Sequence, residues 1–356
     1  MRAMSVFVVV GAACVGVPGV ALADRTEIGF DPGVSLYSQY VLRIRDDAGD
    51  TSWFHDFELT RGHVFLGIRY DHAFARVLVE GVRSASEGAL LGVAGNSFVF
   101  RVREAYAGYW LFGHLELRAG LLPTLTIPTV ERAWSFRALN ASAIERVGFG
   151  SPSDLGVTMV GHLPKDFGWV GVGAYNGEGY ARPELNRGKN VEIAAEVHPL
   201  AFVPAAKPLA VFGSYQSGSS GTGLSRADRV HAGIAWLGDV VRGGAAFSYA
   251  LGVDDDGGKS AVAVDVFARA TLWTRLLLGA DFTYWMRDTA REGDDALLFT
   301  GAAGVQVAKP LSALVAFDGQ FFGDAARASL PDEDDYRLRV IVAFDFDHWF
   351  QLSLPR

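Results

Sequence analysis

The sequence predicts an all-β fold: a transmembrane antiparallel β-barrel of about sixteen strands, with a long third extracellular loop folded into the lumen. Three observations predict it. Apolar and polar residues alternate with a period of two through most of the chain. The connections between alternating segments sort by parity into long and short. Beyond the first 23 residues, no stretch holds the roughly 18 uninterrupted apolar residues of a membrane helix. Half the residues are hydrophobic and 42 are Gly. A chain this apolar and this interrupted is explained by strands with one greasy face each.

Residues 1–23 have the parts of a cleaved secretory signal peptide. Arg2 supplies the positive start, Ser5 to Val20 the apolar region, and Ala21-Leu22-Ala23 the small-residue site before Asp24. Cys14 is the sole cysteine and would leave with that segment, so disulfide and thiol chemistry are excluded from residues 24–356. The formal charge of -8 becomes -9 once Arg2 is removed, which argues against nucleic acid as a partner. Only Lys165, Lys189, Lys207, Lys259 and Lys309 are lysines; the other 27 basic residues are arginines.

Alternation begins at residues 35–45. Leu36, Tyr40, Leu42 and Ile44 share one face with Ser38, opposite Ser35, Tyr37, Gln39, Arg43 and Arg45, with Val41 the exception. It recurs at the far end, where Tyr336, Leu338, Val340, Val342, Phe344 and Phe346 oppose Arg337, Arg339, Ile341, Ala343 and Asp345. Val262, Val264, Val266 and Ala268 oppose Asp265, Phe267 and Arg269 in the same way. Leu276, Leu278, Ala280, Phe282 and Tyr284 oppose Asp281, Thr283 and Arg287. Sixteen segments follow: 34–45, 56–70, 73–82, 98–112, 114–122, 154–162, 167–176, 190–198, 209–217, 228–238, 240–251, 261–272, 275–287, 297–308, 311–322 and 335–346. The barrel is thus expected over 24–346, with 347–356 a short C-terminal tail.

The long connections are 46–55, 83–97, 123–153, 177–189, 218–227, 252–260, 288–296 and 323–334. Between them lie tight turns such as Asp71-His72, Trp273-Thr274 and Lys309-Pro310, with 199–208 the one looser member. Long loops outside and short turns in the periplasm are the habit of outer-membrane barrels, and an even strand number returns both chain ends to the periplasmic side. Acids gather in the long loops, as at Asp254 to Asp256 and Asp332 to Asp335, so the negative charge belongs to the outer mouth. Tyr70, Tyr109, Trp110, Trp169, Trp236, Trp273, Tyr284, Trp285, Phe321 and Phe322 stand near strand ends, where interfacial girdles form.

Arginine is the functional signal. Arg61, Arg101, Arg103 and Arg118 fall on faces opposite the lipid-like residues and form the expected pore wall. The long segment 123–153 adds Arg132, Arg137 and Arg146 with Glu131 and Glu145, the expected pore constriction. A guanidinium stays charged and offers donors in a fixed fork, which attracts anions in a narrow pore. The same residues also suit a wall of Arg–Glu pairs that fill and rigidify the lumen. Residues 98–112 fit the alternation least well, because Glu104 falls on the side assigned to lipid. Metal-ligand spacing, nucleophile elbows and phosphate-binding loops are missing from the sequence, so neither catalysis nor a cofactor is expected.

Several short motifs resemble the porin O/P family, the phosphate-selective porins of Gram-negative bacteria. They are R-E-A-Y-A-G-Y (Arg103 to Tyr109), L-R-A-G-L-L-P-T (Leu117 to Thr124), E-R-A-W (Glu131 to Trp134), S-D-L-G-V (Ser153 to Val157), A-Y-N-G-E-G-Y (Ala174 to Tyr180) and V-H-P-L (Val197 to Leu200). The resemblance covers roughly 55–200. It implies a trimeric sixteen-stranded barrel with an inward third loop and an arginine-lined anion path. Two departures stand out: residues 101–146 hold no Lys, and the chain does not end on an aromatic residue. The expectation is an outer-membrane porin passing small hydrophilic solutes with mild anion preference, embedded in lipid and lipopolysaccharide and inserted by the barrel assembly machinery. The alternatives are a closed barrel with a structural or adhesive role, and a soluble secreted β-rich ligand-binding protein.

Overall fold

In the computed structural model, which describes residues 25–47, 50–83, 98–181, 186–330 and 334–355, the chain closes on itself as one antiparallel barrel. The signal segment and most of the expected loop 83–97 lie outside the described residues. The strands are β1 (Arg25–Asp47), β2 (Asp50–Tyr70), β3 (Ala73–Arg83), β4 (Phe98–Leu111), β5 (Leu115–Pro123), β6 (Ser153–Leu163), β7 (Gly168–Tyr175) and β8 (Asn190–Val197). They continue with β9 (Leu209–Ser217), β10 (Asp228–Leu237), β11 (Val241–Val253), β12 (Asp256–Leu272), β13 (Leu276–Met286), β14 (Asp295–Ala308), β15 (Leu311–Phe322) and β16 (Tyr336–Asp347, resuming at Phe350–Pro355). Each pairs with its neighbours in sequence, and β1 pairs with both β2 and β16. Closure leaves no strand edge, the condition for β-structure to sit in lipid.

Alternation sets the faces. Leu36, Val64, Val157, Ile193, Val266 and Val340 are exposed on the outside, each more than 45 %, while Gln39, Glu80, Glu192, Asp265 and Arg339 are buried within. Residue 103 breaks the phase. The β3–β4 register shifts between Leu78 and Val79, leaving Arg103 as a bulge residue. Phe98, Phe100 and Val102 therefore face out on one side of it and Ala105, Ala107 and Tyr109 on the other. Arg103 and Glu104 consequently both turn inward, and Glu104 meets Arg76 at 3.2 Å. The lipid assignment of Glu104 is corrected by that one extra residue.

Three other expectations change. Connections 46–55 and 252–260 are not long loops: β1 and β2 run to Asp47 and from Asp50, and β11 and β12 meet at a turn made by Asp254 and Asp255, at φ 55° and 60°. Segment 347–356 is not a tail, because Phe350–Pro355 pair with Arg25–Phe30 and extend the closing seam. The seam is interrupted opposite Pro32, which has no N–H to give. The girdle candidates split. Tyr70, Tyr109, Trp236, Trp273 and Phe321 are exposed, whereas Trp169, Trp285 and Phe322 line lumenal cavities. Neighbours at a strand end point to opposite faces, so one of each adjacent pair must enter the lumen.

Candidate functional site: the inward loop and its arginine passage

The connection between β5 and β6 folds into the barrel. Thr124 closes its base, its N–H donating to Pro152 O at 3.2 Å and its hydroxyl to Ser151 O at 2.9 Å. Within the loop, α1 (Thr126–Trp134) and α2 (Ala143–Arg146) form. Ile127, Val130 and Trp134 recur at helical spacing on one side of α1, and Pro128 sits in the first turn, where its missing N–H costs nothing. The loop's apolar residues, Trp134, Phe136, Leu139, Ile144 and Phe149 among them, pack on wall residues Phe212, Ala235, Ala246, Ala263, Phe267, Leu314 and Ile341. Small residues on this half of the wall make the room. At Gly279 a Cβ would stand 2.4 Å from the Phe136 ring.

Wall charges complete the seat. The Glu192 carboxylate accepts the N–H groups of Leu125 and Thr126, both at 2.9 Å, and the Thr126 hydroxyl at 2.5 Å. A buried acid thus meets the positive end of α1, which has no side-chain cap of its own. At the other end Arg242 donates to Arg132 O at 3.1 Å and Arg269 to Ser135 O, placing cations at the carbonyl end. Arg339 holds the loop's tip by donating to Leu139 O at 2.8 Å and Asn140 Oδ1 at 3.2 Å, while its pair Asp318 accepts at 2.6 Å.

The five expected constriction residues take two roles. Glu131, Arg137 and Glu145 form a clamp inside the loop: Arg137 meets Glu131 at 2.6 Å and grips Glu145 through both guanidinium nitrogens. Glu131 also accepts Ser142 N–H at 2.8 Å. Burial pushes the Glu145 carboxyl up, but the hydrogen bonds and charge of Arg137, with Arg103 and Arg61 nearby, outweigh it and hold the group below its ordinary value. Arg132 and Arg146 instead tie the loop to wall acids, Glu196 and Asp281 respectively, with Thr283 accepting from Arg146 at 2.9 Å. Sequence reading missed Glu192 and Glu196, and placed Asp281 on the inner face of its strand without a partner. The signal available was an acid at a lumenal parity inside a strand, which lipid forbids.

The other half of the wall borders open space. A cavity of about 380 Å³ lies between the loop's tip and β1, β2 and β13–β16. A second of about 330 Å³ separates the Arg137 clamp from β1–β4, and a third of about 310 Å³ lies beside α1, near Arg118, Arg132 and His162. The second holds Arg61, Arg101, Arg103, Arg137 and Arg339 against Glu80 and Glu145, five arginines to two glutamates. Arg101 and Arg103 both pair with Glu80, as does His63 at 3.3 Å. Arg118 is bidentate to Glu116 at 2.8 Å. Arg61 differs: its contacts are His63 Nδ1 at 3.0 Å and the Tyr37 ring, and it makes no carboxylate pair among the described residues. A second loop also reaches in, with Tyr180 donating to Glu80 at 2.6 Å and accepting from Arg101 at 2.8 Å.

Comparison with known proteins gives matches in structure only. No protein-family model and no curated protein sequence matches the chain. The OmpF complex with daunomycin from Salmonella typhi superposes with a TM-score of 0.64 at 13% identity, covering 89% of this chain and 97% of that one. The anion-selective porin from Comamonas acidovorans gives 0.62 at 13%, covering 91% and 100%. In-vitro folded OmpT of Vibrio cholerae, in its trimer form, gives 0.58 at 14%, covering 89% and 99%. On these likenesses and on its own topology, the chain has the fold of the outer-membrane porins.

Proposed function

We propose that this chain is an outer-membrane porin of a Gram-negative bacterium: a passive channel for small hydrophilic solutes, with mild anion preference and no enzymatic activity. The observation that carries the reading is the inward loop beside a passage whose central cavity has five arginines against two glutamates. A pore's selectivity follows its local field rather than the charge of the whole chain. The cavity beside α1 also presents arginines, Arg118 and Arg132, with their paired acids Glu116 and Glu196 outside its lining. Arg61 is the cation with the strongest claim on a passing anion, since the other wall arginines named here spend part of their charge on Glu80 and Glu116.

The proposal includes porin O/P kinship, supported by the motifs between residues 103 and 200. Phosphate selectivity is not part of it, because the passage has arginines and no lysine. It also includes a homotrimer in lipid and lipopolysaccharide, delivered by a signal at 1–23 and inserted by the barrel assembly machinery.

The deciding experiment is planar-bilayer conductance of the refolded protein, with the reversal potential measured across a potassium chloride gradient. Discrete steps with an anion-favouring potential are expected. Steps with a cation-favouring potential would shift control to the acidic mouth, and silence from folded protein would favour a closed barrel of structural or adhesive role.

A further inference from the structure

Arginine is laid over aromatic rings along the inner face of β1–β3. Arg69 stands 5.1 Å from the Trp349 ring, Arg76 4.1 Å from the Phe65 ring and Arg61 5.5 Å from the Tyr37 ring. The β1 positions beneath these rungs are 29, 33 and 37, one rung every four residues. Two of them are glycines that seat the rings. A Cβ at Gly29 would come within 2.2 Å of Trp349, and one at Gly33 within 2.0 Å of Phe65. The third rung is Tyr37 itself, buried behind Arg61. At about 3.4 Å per residue, rungs 29 to 37 run about 27 Å along the strand. At a barrel strand's tilt of about 40° that is about 20 Å of depth, roughly two-thirds of a bilayer core. Beside the Arg61 rung, the Tyr180 ring lies 4.7 Å from Arg101.

Compact, strongly hydrated anions gain nothing from such backing. For them a guanidinium facing water or a glutamate serves equally well. A ring behind the guanidinium strips water from one face and leaves a flat, weakly hydrated cation toward the passage. The partner that uses both properties has a charged end for the N–H edge of Arg61 or Arg69 and a flat apolar body to stack at the middle rung, where the edge of Arg76 already faces Glu104 at 3.2 Å and Asp31 at 3.5 Å.

We propose that the β1–β3 wall is a binding track for organic anions with a flat apolar body, aryl carboxylates being the simplest. The track rests on the anion-conducting reading above and narrows it to a class of solute. Benzoate, acetate and inorganic phosphate separate the possibilities when each is added to one side of a bilayer carrying the refolded full-length barrel in potassium chloride. Benzoate should reduce the ionic current at a concentration about tenfold below that of acetate, with phosphate no better than acetate. Phe65→Leu and Trp349→Leu, checked for heat-modifiable migration as folded barrels, should bring benzoate and acetate within about twofold while chloride conductance persists.

Equal block by benzoate and acetate in an anion-preferring channel overturns the track and leaves the porin reading standing. Preferential block by phosphate overturns it likewise. Calorimetric titration of the detergent-refolded barrel with benzoate is the second readout. Binding without conductance supports the track and refutes the channel, while no benzoate binding refutes the track whatever the conductance.

Discussion

Arg61→Gln isolates the field of one unpaired cation. Arg61 lines the central cavity and makes no carboxylate pair among the described residues, so its loss removes the one positive charge left over once Arg137 is set against Glu131 and Arg339 against Asp318, without orphaning an acid. An anion about 6 Å from the guanidinium in nearly aqueous surroundings gains about 0.7 kcal/mol, reduced to about 0.4 kcal/mol by screening in 0.1 M salt. That is about twofold in chloride occupancy, and potassium gains by about the same factor. The chloride-to-potassium permeability ratio should therefore fall about fourfold in 0.1 M salt, and only about 1.4-fold in 1 M, where the screening length shrinks to about 3 Å. Reversal potentials at the two salt levels measure both numbers. An unchanged ratio at low salt, or an equal fall at both, would refute the assignment of selectivity to this charge.

Three further outcomes follow from the loop's seat. Glu192→Ala removes the acceptor for two α1 N–H groups, weakening the dock by about 1–2 kcal/mol; open-channel noise and trypsin cleavage after Arg132 should both rise. Gly279→Ala drives a Cβ into Phe136 and should cost about 1–3 kcal/mol of loop docking, seen as larger single-channel conductance with unchanged barrel migration. Acid should act late on the Arg137–Glu145 clamp. Because folding depresses the Glu145 pKa, the clamp's contribution is complete above the ordinary carboxylate value and is lost as pH falls through the lower folded value. Anion preference should then rise as Glu145 neutralises, and a titration of reversal potential from neutral pH to strong acid checks it.

Period-two alternation made the barrel legible because lipid tolerates nothing polar on the outer face, so every strand carries the signal independently. It lost phase at Arg103, since a bulge depends on the partner strand, and the misplaced Glu104 marked the slip without giving its cause. The loop's own residues were also readable: Arg132, Arg137 and Arg146 with Glu131 and Glu145 do sit inside the barrel. Their division of labour was not. Arg132 meets Glu196 across 64 positions and Arg146 meets Asp281 across 135, so no spacing in the sequence links the partners. Arg61, which alternation placed on the inner wall, stands apart because Glu80 beside it is committed to His63, Arg101 and Arg103.

The loop's seat has a consequence for assembly. Residues 126–149 dock on Glu192, Phe212, Ala246, Phe267, Leu277 and Ile341, all of them later in the chain. Among the described residues, none of that surface comes before β8, and only Leu125 at the loop's start packs on β6 and β7, so the plug cannot be fully set while the first half of the barrel takes shape. Contacts of such long range form late, after the ends of the chain have been brought together. The narrow passage is thus the last part of the protein to be made, and a barrel arrested before β16 joins β1 would be wide and weakly selective.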